Sequence, residues 1–124
     1  MLKNLEVRTT LPARDLKRAE KWYADKLGLK PEQGTPAGLF FNCKNSGFLV
    51  YETENAGTAQ NTMMGWLTDD LDGEMADLRA KGVVFEEYDM PGLKTVNGVA
   101  SFGPGRGAWF KDSEGNILAI TQME

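Results

Sequence analysis

Histidine is absent from this 124-residue chain, and its absence removes a broad range of chemistry. Without imidazole there is no Ser-His-Asp or Cys-His nucleophile system in its usual form. Zinc, nickel and non-haem iron sites built on His go with it. Proton transfer near neutral pH would fall to a perturbed carboxylate, Lys, Tyr or Cys. Cysteine is nearly as scarce: the single Cys43 has no internal disulfide partner, which fits a reducing, cytoplasmic setting. Long apolar runs are missing too. Leu39–Phe41 and Phe48–Tyr51 fall far short of the ~20 residues that cross a bilayer, and the opening MLKNLEV lacks the apolar stretch of a secretory signal. Positive charge is in deficit, 14 Lys and Arg against 18 Asp and Glu, for a net −4. Nucleic acid and anionic membranes, whose binders carry a basic face, are therefore not expected partners.

What is present is an ordinary globular balance, with 41% apolar residues and 14 glycines in a length typical of one domain. The pattern along the chain runs twice. Leu5 to Thr10 alternates as a strand, and DLKRAEKWYADKLG follows as a helix with Asp15 as N-cap and Gly28 as its stop. Strands are expected over 29–33, 39–43 and 48–53, the last two joined by the turn KNSG. The polar, small-residue stretch 54–61 reads as a linker. The second half repeats the order: a strand over 63–68, a helix DLDGEMADLRAKG with Asp70 as N-cap and Gly82 as its stop, and a strand over 83–88. A Gly/Pro-rich loop over 91–107 and a hairpin of AWFKD and NILAITQ complete it. The closing segments FFNCKNSGFLVYET and WFKDSEGNILAIT match as well. The expected architecture is α+β, two tandem βαβββ units (1–53 and 62–124) within one domain. Their curved mixed sheets are expected to surround a cleft, with the helices on the convex faces.

Three segments, TLPARDLKRAEKWYADKLGLK, LTDDLD and AWFKDSEGNILAI, carry a resemblance that extends over essentially the whole chain. In this order and spacing they resemble the vicinal oxygen chelate superfamily, which includes glyoxalase I, extradiol dioxygenases and bleomycin-resistance proteins. Metal-using members place four ligands, typically His and Glu or Gln, on strands lining the cleft. Carried over, the first lies seven residues before each capping Asp, at Arg8 and Met63. The position on the last strand falls three residues after the Asn of EGN, at Ala119, and aligning the turn glycines Gly47 and Gly115 equates it with Tyr51. None suits a divalent ion. Arg stays protonated, a thioether prefers soft monovalent copper, Ala has no donor atom, and a neutral phenol is a poor one. No metal or other cofactor is expected.

Strand alternation sorts the remaining candidates. Glu6, Arg8 and Thr10 are expected to face the cleft, with Leu49, Tyr51 and Thr53, then Met63, Gly65 and Leu67, then Ile117, Ala119 and Thr121. One of Phe40 and Phe41, and one of Trp109 and Phe110, joins them. Val7, Val50, Trp66, Leu118 and Ile120 are expected beneath the helices. The ligand-binding set is therefore Arg8, Thr10, Tyr51, Met63, Leu67, Trp109 and Ala119. Arg8 offers charge for a carboxylate, phosphate or carbonyl, or else merely closes an ion pair with Glu6. Trp109 offers a stacking face, or else plain packing. Cys43 reads as a small apolar filler, GPGRG over 103–107 as a mobile rim from which Arg106 reaches a ligand, and the Glu86-Glu87 pair as solvated. The leading expectation is a metal-independent protein that binds a small planar or amphipathic molecule, resembling bleomycin-resistance-type sequestering proteins. Family resemblance adds a homodimer. The alternative is a metal-independent lyase or isomerase in which Glu6 or Tyr51 handles protons and Arg8 stabilises an oxyanion.

Overall fold

The computed structural model describes residues 1–32, 34–35, 37–44 and 46–123. Both helices begin where an Asp caps them. Asp15 accepts from the Arg18 N–H at 3.0 Å and opens α1 (Leu16–Trp22), which continues as a wider π-helical turn over Tyr23–Leu27. Gly28 ends it at φ +69°, a left-handed conformation that a side chain would disfavour. Asp70 accepts from Gly73 N–H at 3.0 Å and opens α2 (Leu71–Ala80). The Gln122 side chain takes the Leu71 N–H at 2.9 Å, a second cap supplied from the far end of the chain.

Two four-stranded mixed sheets share one topology. The first contains β1 (Thr9–Ala13), β2 (Gly34–Thr35), β3 (Gly38–Cys43) and β4 (Ser46–Glu52), in the order β1-β4-β3-β2. In the second half β5 (Thr62–Leu67) precedes α2, and a separate ribbon of β6 (Asp89–Met90) and β7 (Leu93–Lys94) follows it. Then β8 (Ala100–Phe102), β9 (Gly105–Lys111) and β10 (Ile117–Gln122) complete a sheet in the order β5-β10-β9-β8. In each sheet the first strand pairs parallel with the last and the other pairs are antiparallel. The chain is thus an α+β fold of two βαβββ units, the second carrying the inserted ribbon.

Several expected boundaries move. The opening strand is Thr9–Ala13, not 5–10; Val7, expected beneath a helix, is 86% exposed. Residues 29–32 form no strand, although Glu32 N–H donates to Phe40 C=O at 2.8 Å, while Gln33 lies outside the described residues. The stretch 83–88 contributes only an isolated bridge, Phe85 to Phe110. The fourth strand of the second sheet comes instead from within 91–107. GPGRG is no free rim: Gly103 and Pro104 turn the β8–β9 hairpin, and Gly105 to Gly107 begin β9. Asn45 of the KNSG turn lies outside the described residues. Glu87 is exposed, as expected, and is also held, accepting from Thr95 Oγ1 at 2.6 Å and Gly98 N–H at 2.8 Å, contacts that hold its carboxyl below its usual range.

One core joins the two halves. Leu11, Phe41, Phe48 and Val50 of the first sheet meet Phe110, Leu118 and Ile120 of the second, with Tyr23 from the first helical segment and Leu71 and Met75 from α2. The rings form a continuous path. Tyr23 packs on Phe41 and Phe48, Phe48 meets Trp66 edge-on at 6.3 Å, and Trp66 stacks on Phe110 at 6.4 Å. Each large side chain buried here contributes roughly 1.5–3 kcal/mol, so neither half can shed the other cheaply.

A polar joint fixes their relative position. The Glu114 side chain, fully buried on the β9–β10 turn, accepts from Arg14 N–H (2.9 Å), Asp15 N–H (3.0 Å), Arg18 Nε (2.8 Å) and Arg18 Nη2 (3.0 Å). Arg18 and the other donors hold its carboxyl down at about 2, against the opposing effect of burial. Beside it, Tyr23 donates to Asp112 Oδ2 at 2.7 Å, and Asn116 Nδ2 donates to Pro12 C=O and Asp112 Oδ2, each at 2.9 Å. Burial and the neighbouring Asp112 carboxylate push the Tyr23 phenol far up. Among the described residues no buried side-chain polar atom lacks a partner.

Candidate functional site

With the helices and core on the inner faces of the sheets, strand alternation fixes what the outer faces present. Across the first sheet Thr10, Leu49 and Phe40 form one rung, and Tyr51 pairs with Pro12. This settles the phenylalanine alternative: Phe41 is in the core and Phe40 is outside. Arg8, just before β1, lies over the Phe40 ring with Cζ 4.0 Å from its centroid. Its Nη2 stands 3.5 Å from Glu6 Oε2, so the pairing expected of a filler residue is present, but at the surface, with 49% of the Arg8 side chain exposed. Tyr51 is 37% exposed.

Across the second sheet Gly65, Ala119 and Trp109 form one rung, and Leu67, Thr121 and Gly107 the next. Phe110 is in the core, leaving Trp109 outside. Trp109 Nε1 donates to Thr62 Oγ1 at 3.1 Å, two strands away, so the indole reaches across β10. Ala119 stands on that rung at 7% exposure, small enough to leave the indole room. Tyr88 meets Trp109 edge-on at 5.8 Å, and burial followed by the Glu86 carboxylate raises its phenol. Leu67 is 81% exposed and Met63 half-buried. Arg106 turns away from this face, 3.3 Å from Asp72 Oδ1 and 3.4 Å from Gln122 Oε1.

The ladders also correct one internal correspondence. Ala119 pairs with Gly65 and Trp109, as Leu49 pairs with Thr10 and Phe40; Tyr51 instead occupies the place of Thr121. The turn glycines mislead because the two turns differ in length, Cys43 pairing with Ser46 in one hairpin and Lys111 with Ile117 in the other. The four family ligand positions thus become Arg8, Leu49, Met63 and Ala119. They are a permanent cation and three side chains without an oxygen or nitrogen donor, so a divalent ion does not fit. Among the described residues no cluster of three or more His, Cys, Asp or Glu could hold a metal.

The predicted site residues stand in two groups on two sheets whose edge strands β1 and β5 lie against each other. Arg8, Thr10 and Tyr51 stand on the outer face of the first sheet and Leu67, Trp109 and Ala119 on that of the second, while half-buried Met63 packs against the core. Among the described residues no hydrogen bond, ion pair or ring contact joins the two groups. A groove of about 480 Å³ lies elsewhere: between Leu27 and Leu29, the β3–β4 turn at Cys43, and Trp66, Leu78 and Ile120. Only Leu67 of the predicted set lines it. The sequence missed this groove because it depends on how the two units pack together. It also missed the buried Asp112, Glu114 and Asn116, which read as an ordinary polar turn.

The chain belongs to the Glyoxalase/Bleomycin resistance protein/Dioxygenase superfamily, whose family model matches residues 7–120. Solved structures agree on the fold. UcmS2 is similar at 17% identity with a TM-score of 0.73, over 94% of this chain and 96% of that one. TnmS3, an antibiotic binding protein from Streptomyces sp. CB03234, is similar at 20% identity and TM-score 0.70, covering 97% and 96%. A lactoylglutathione lyase from Agrobacterium tumefaciens is similar at 18% identity and TM-score 0.71, covering 95% and 92%. No curated protein matches. Among the described residues no helix is long and apolar enough to cross a membrane.

Proposed function

We propose that this protein binds a small, flat, largely apolar molecule on the outer faces of its sheets without a metal ion. The observation that carries the reading is the makeup of those faces. In a chain that buries its core well, Phe40, Leu49, Tyr51, Leu67 and Trp109 all remain at least partly exposed on the side away from the helices. A sheet face left to solvent is normally polar, so exposed aromatic and aliphatic side chains there mark a surface meant to be covered. The likeness to TnmS3, an antibiotic binding protein, is in keeping with a binding reading. In this proposal the protein is a cytoplasmic homodimer whose second copy brings the two faces opposite each other, completing a site that one chain leaves open. Titration with a panel of flat aromatic molecules, read by tryptophan fluorescence with light scattering for mass, tests it. Saturable quenching in a dimer supports the reading; a monomer that binds nothing overturns it.

A further inference from the structure

We propose that the face around Arg8 takes the carboxylate of a flat aromatic acid, with Arg8 selecting the negative charge. The inference rests on the binding reading above and adds ligand class to it. Three observations converge on Arg8. Its guanidinium is oriented, lying over the Phe40 ring with Cζ 4.0 Å from the centroid, so little freedom remains to be lost on binding. Its donors are unspent. The 3.5 Å contact with Glu6 is longer than a charge-assisted hydrogen bond, and no acceptor among the described residues takes a hydrogen bond from Arg8. The charge is also accessible, being half-exposed at the edge of an apolar rung in which Leu49 separates Phe40 from Thr10.

A planar fork with free N–H groups matches a carboxylate through two parallel hydrogen bonds. With one face against Phe40, the other can take the ligand's own ring, giving a stack of ring, guanidinium and ring. Glu6 is then the competitor a ligand carboxylate displaces, and its loose, exposed pairing keeps that displacement inexpensive. A cationic ligand would instead meet the Arg8 charge at contact distance, offset only by the loose pairing with Glu6.

The test compares naphthalene-2-carboxylate with naphthalene-2-carboxamide, equal in shape and different in charge, against the native dimer, Arg8→Gln and Glu6→Gln. The carboxylate is expected to bind the native protein about tenfold more tightly than the amide, as a charge-assisted pair should. Arg8→Gln is expected to erase that difference, costing the carboxylate about tenfold more than the amide, which loses only the stacking contact. Glu6→Gln is expected to tighten the carboxylate roughly threefold by removing the competitor. Equal affinity for both compounds, or a preference that survives Arg8→Gln, overturns the inference but leaves the binding reading standing. Failure of both compounds to bind the native protein overturns the two together. Both substitutions lie on an exposed segment before β1, so the fold is not at risk.

Discussion

Glu114 shows how much one side chain can carry when burial and charge coincide. Its carboxylate takes two backbone N–H groups at the start of α1 and the Nε and Nη2 donors of Arg18, all from the opposite unit. Glu114→Gln keeps the shape and removes the charge, and should cost roughly 2–3 kcal/mol in urea denaturation. The acid behaviour follows in sign. The folded carboxyl is held at about 2, below its ordinary 4.5, so its contribution is complete above pH 4.5 and fades as the pH falls toward 2. The glutamine variant should show a shallower acid limb between those values; identical limbs would show that Glu114 is not the group responsible. Tyr23→Phe, which strips Asp112 of its phenolic donor, should cost about 1–2 kcal/mol by the same measurement. None of this was legible in SEG, because a polar turn reads the same whether it meets water or another helix. Arg8, by contrast, is legible from spacing alone, since it is a permanent cation seven residues before the capping Asp15.

Helix limits were the most readable elements because their signals are local. An Asp at each start and a Gly at each end state the capping chemistry outright, and Asp15, Gly28, Asp70 and Gly82 all serve as read. Gly28 gives a clean test: its φ is +69° and a Cβ there meets nothing within 4 Å, so Gly28→Ala should cost about 1 kcal/mol through backbone strain alone, and Gly28→Asn less. Thermal unfolding of the two variants separates the cases, and a neutral Ala would show that the helix end relaxes. Strands fared worse. Leu5 to Thr10 alternates well, yet the sheet uses Thr9–Ala13, which contains Pro12. A proline discourages a strand reading, but β1 is the edge of its sheet and pairs with β4 on one side only, so the missing N–H need not be satisfied. The 83–88 segment failed for the opposite reason: apolar and extended, it packs Val83 and Phe85 into the core while Ala100–Phe102 takes the sheet edge.

At the scale of the molecule, duplication explains both what was legible and what was not. Two copies of one pattern give two identical sheet topologies, which the matched helices and hairpins announced in advance. How the copies pack is written in long-range contacts, Tyr23 to Asp112 or Phe48 to Trp66, that no local pattern encodes. Among the described residues no hydrogen bond, ion pair or ring contact joins the two aromatic outer faces within one chain, which is why dimerisation and binding are coupled in the proposal. Trp109→Ala should expose Ala119 and weaken a flat ligand by roughly 3- to 10-fold, the worth of one aromatic stack, with the dimer intact. Unchanged affinity would move the site off the second sheet.

The claim beneath all of this is that positions suited to a divalent ion in metal-using relatives now hold Arg8, Leu49, Met63 and Ala119. Calorimetric titration of the native protein with naphthalene-2-carboxylate, run in excess chelator and again with added zinc, nickel or manganese, tests it most directly. The account predicts the same affinity and stoichiometry in every buffer; binding that vanishes in chelator and returns with one ion per site would contradict it.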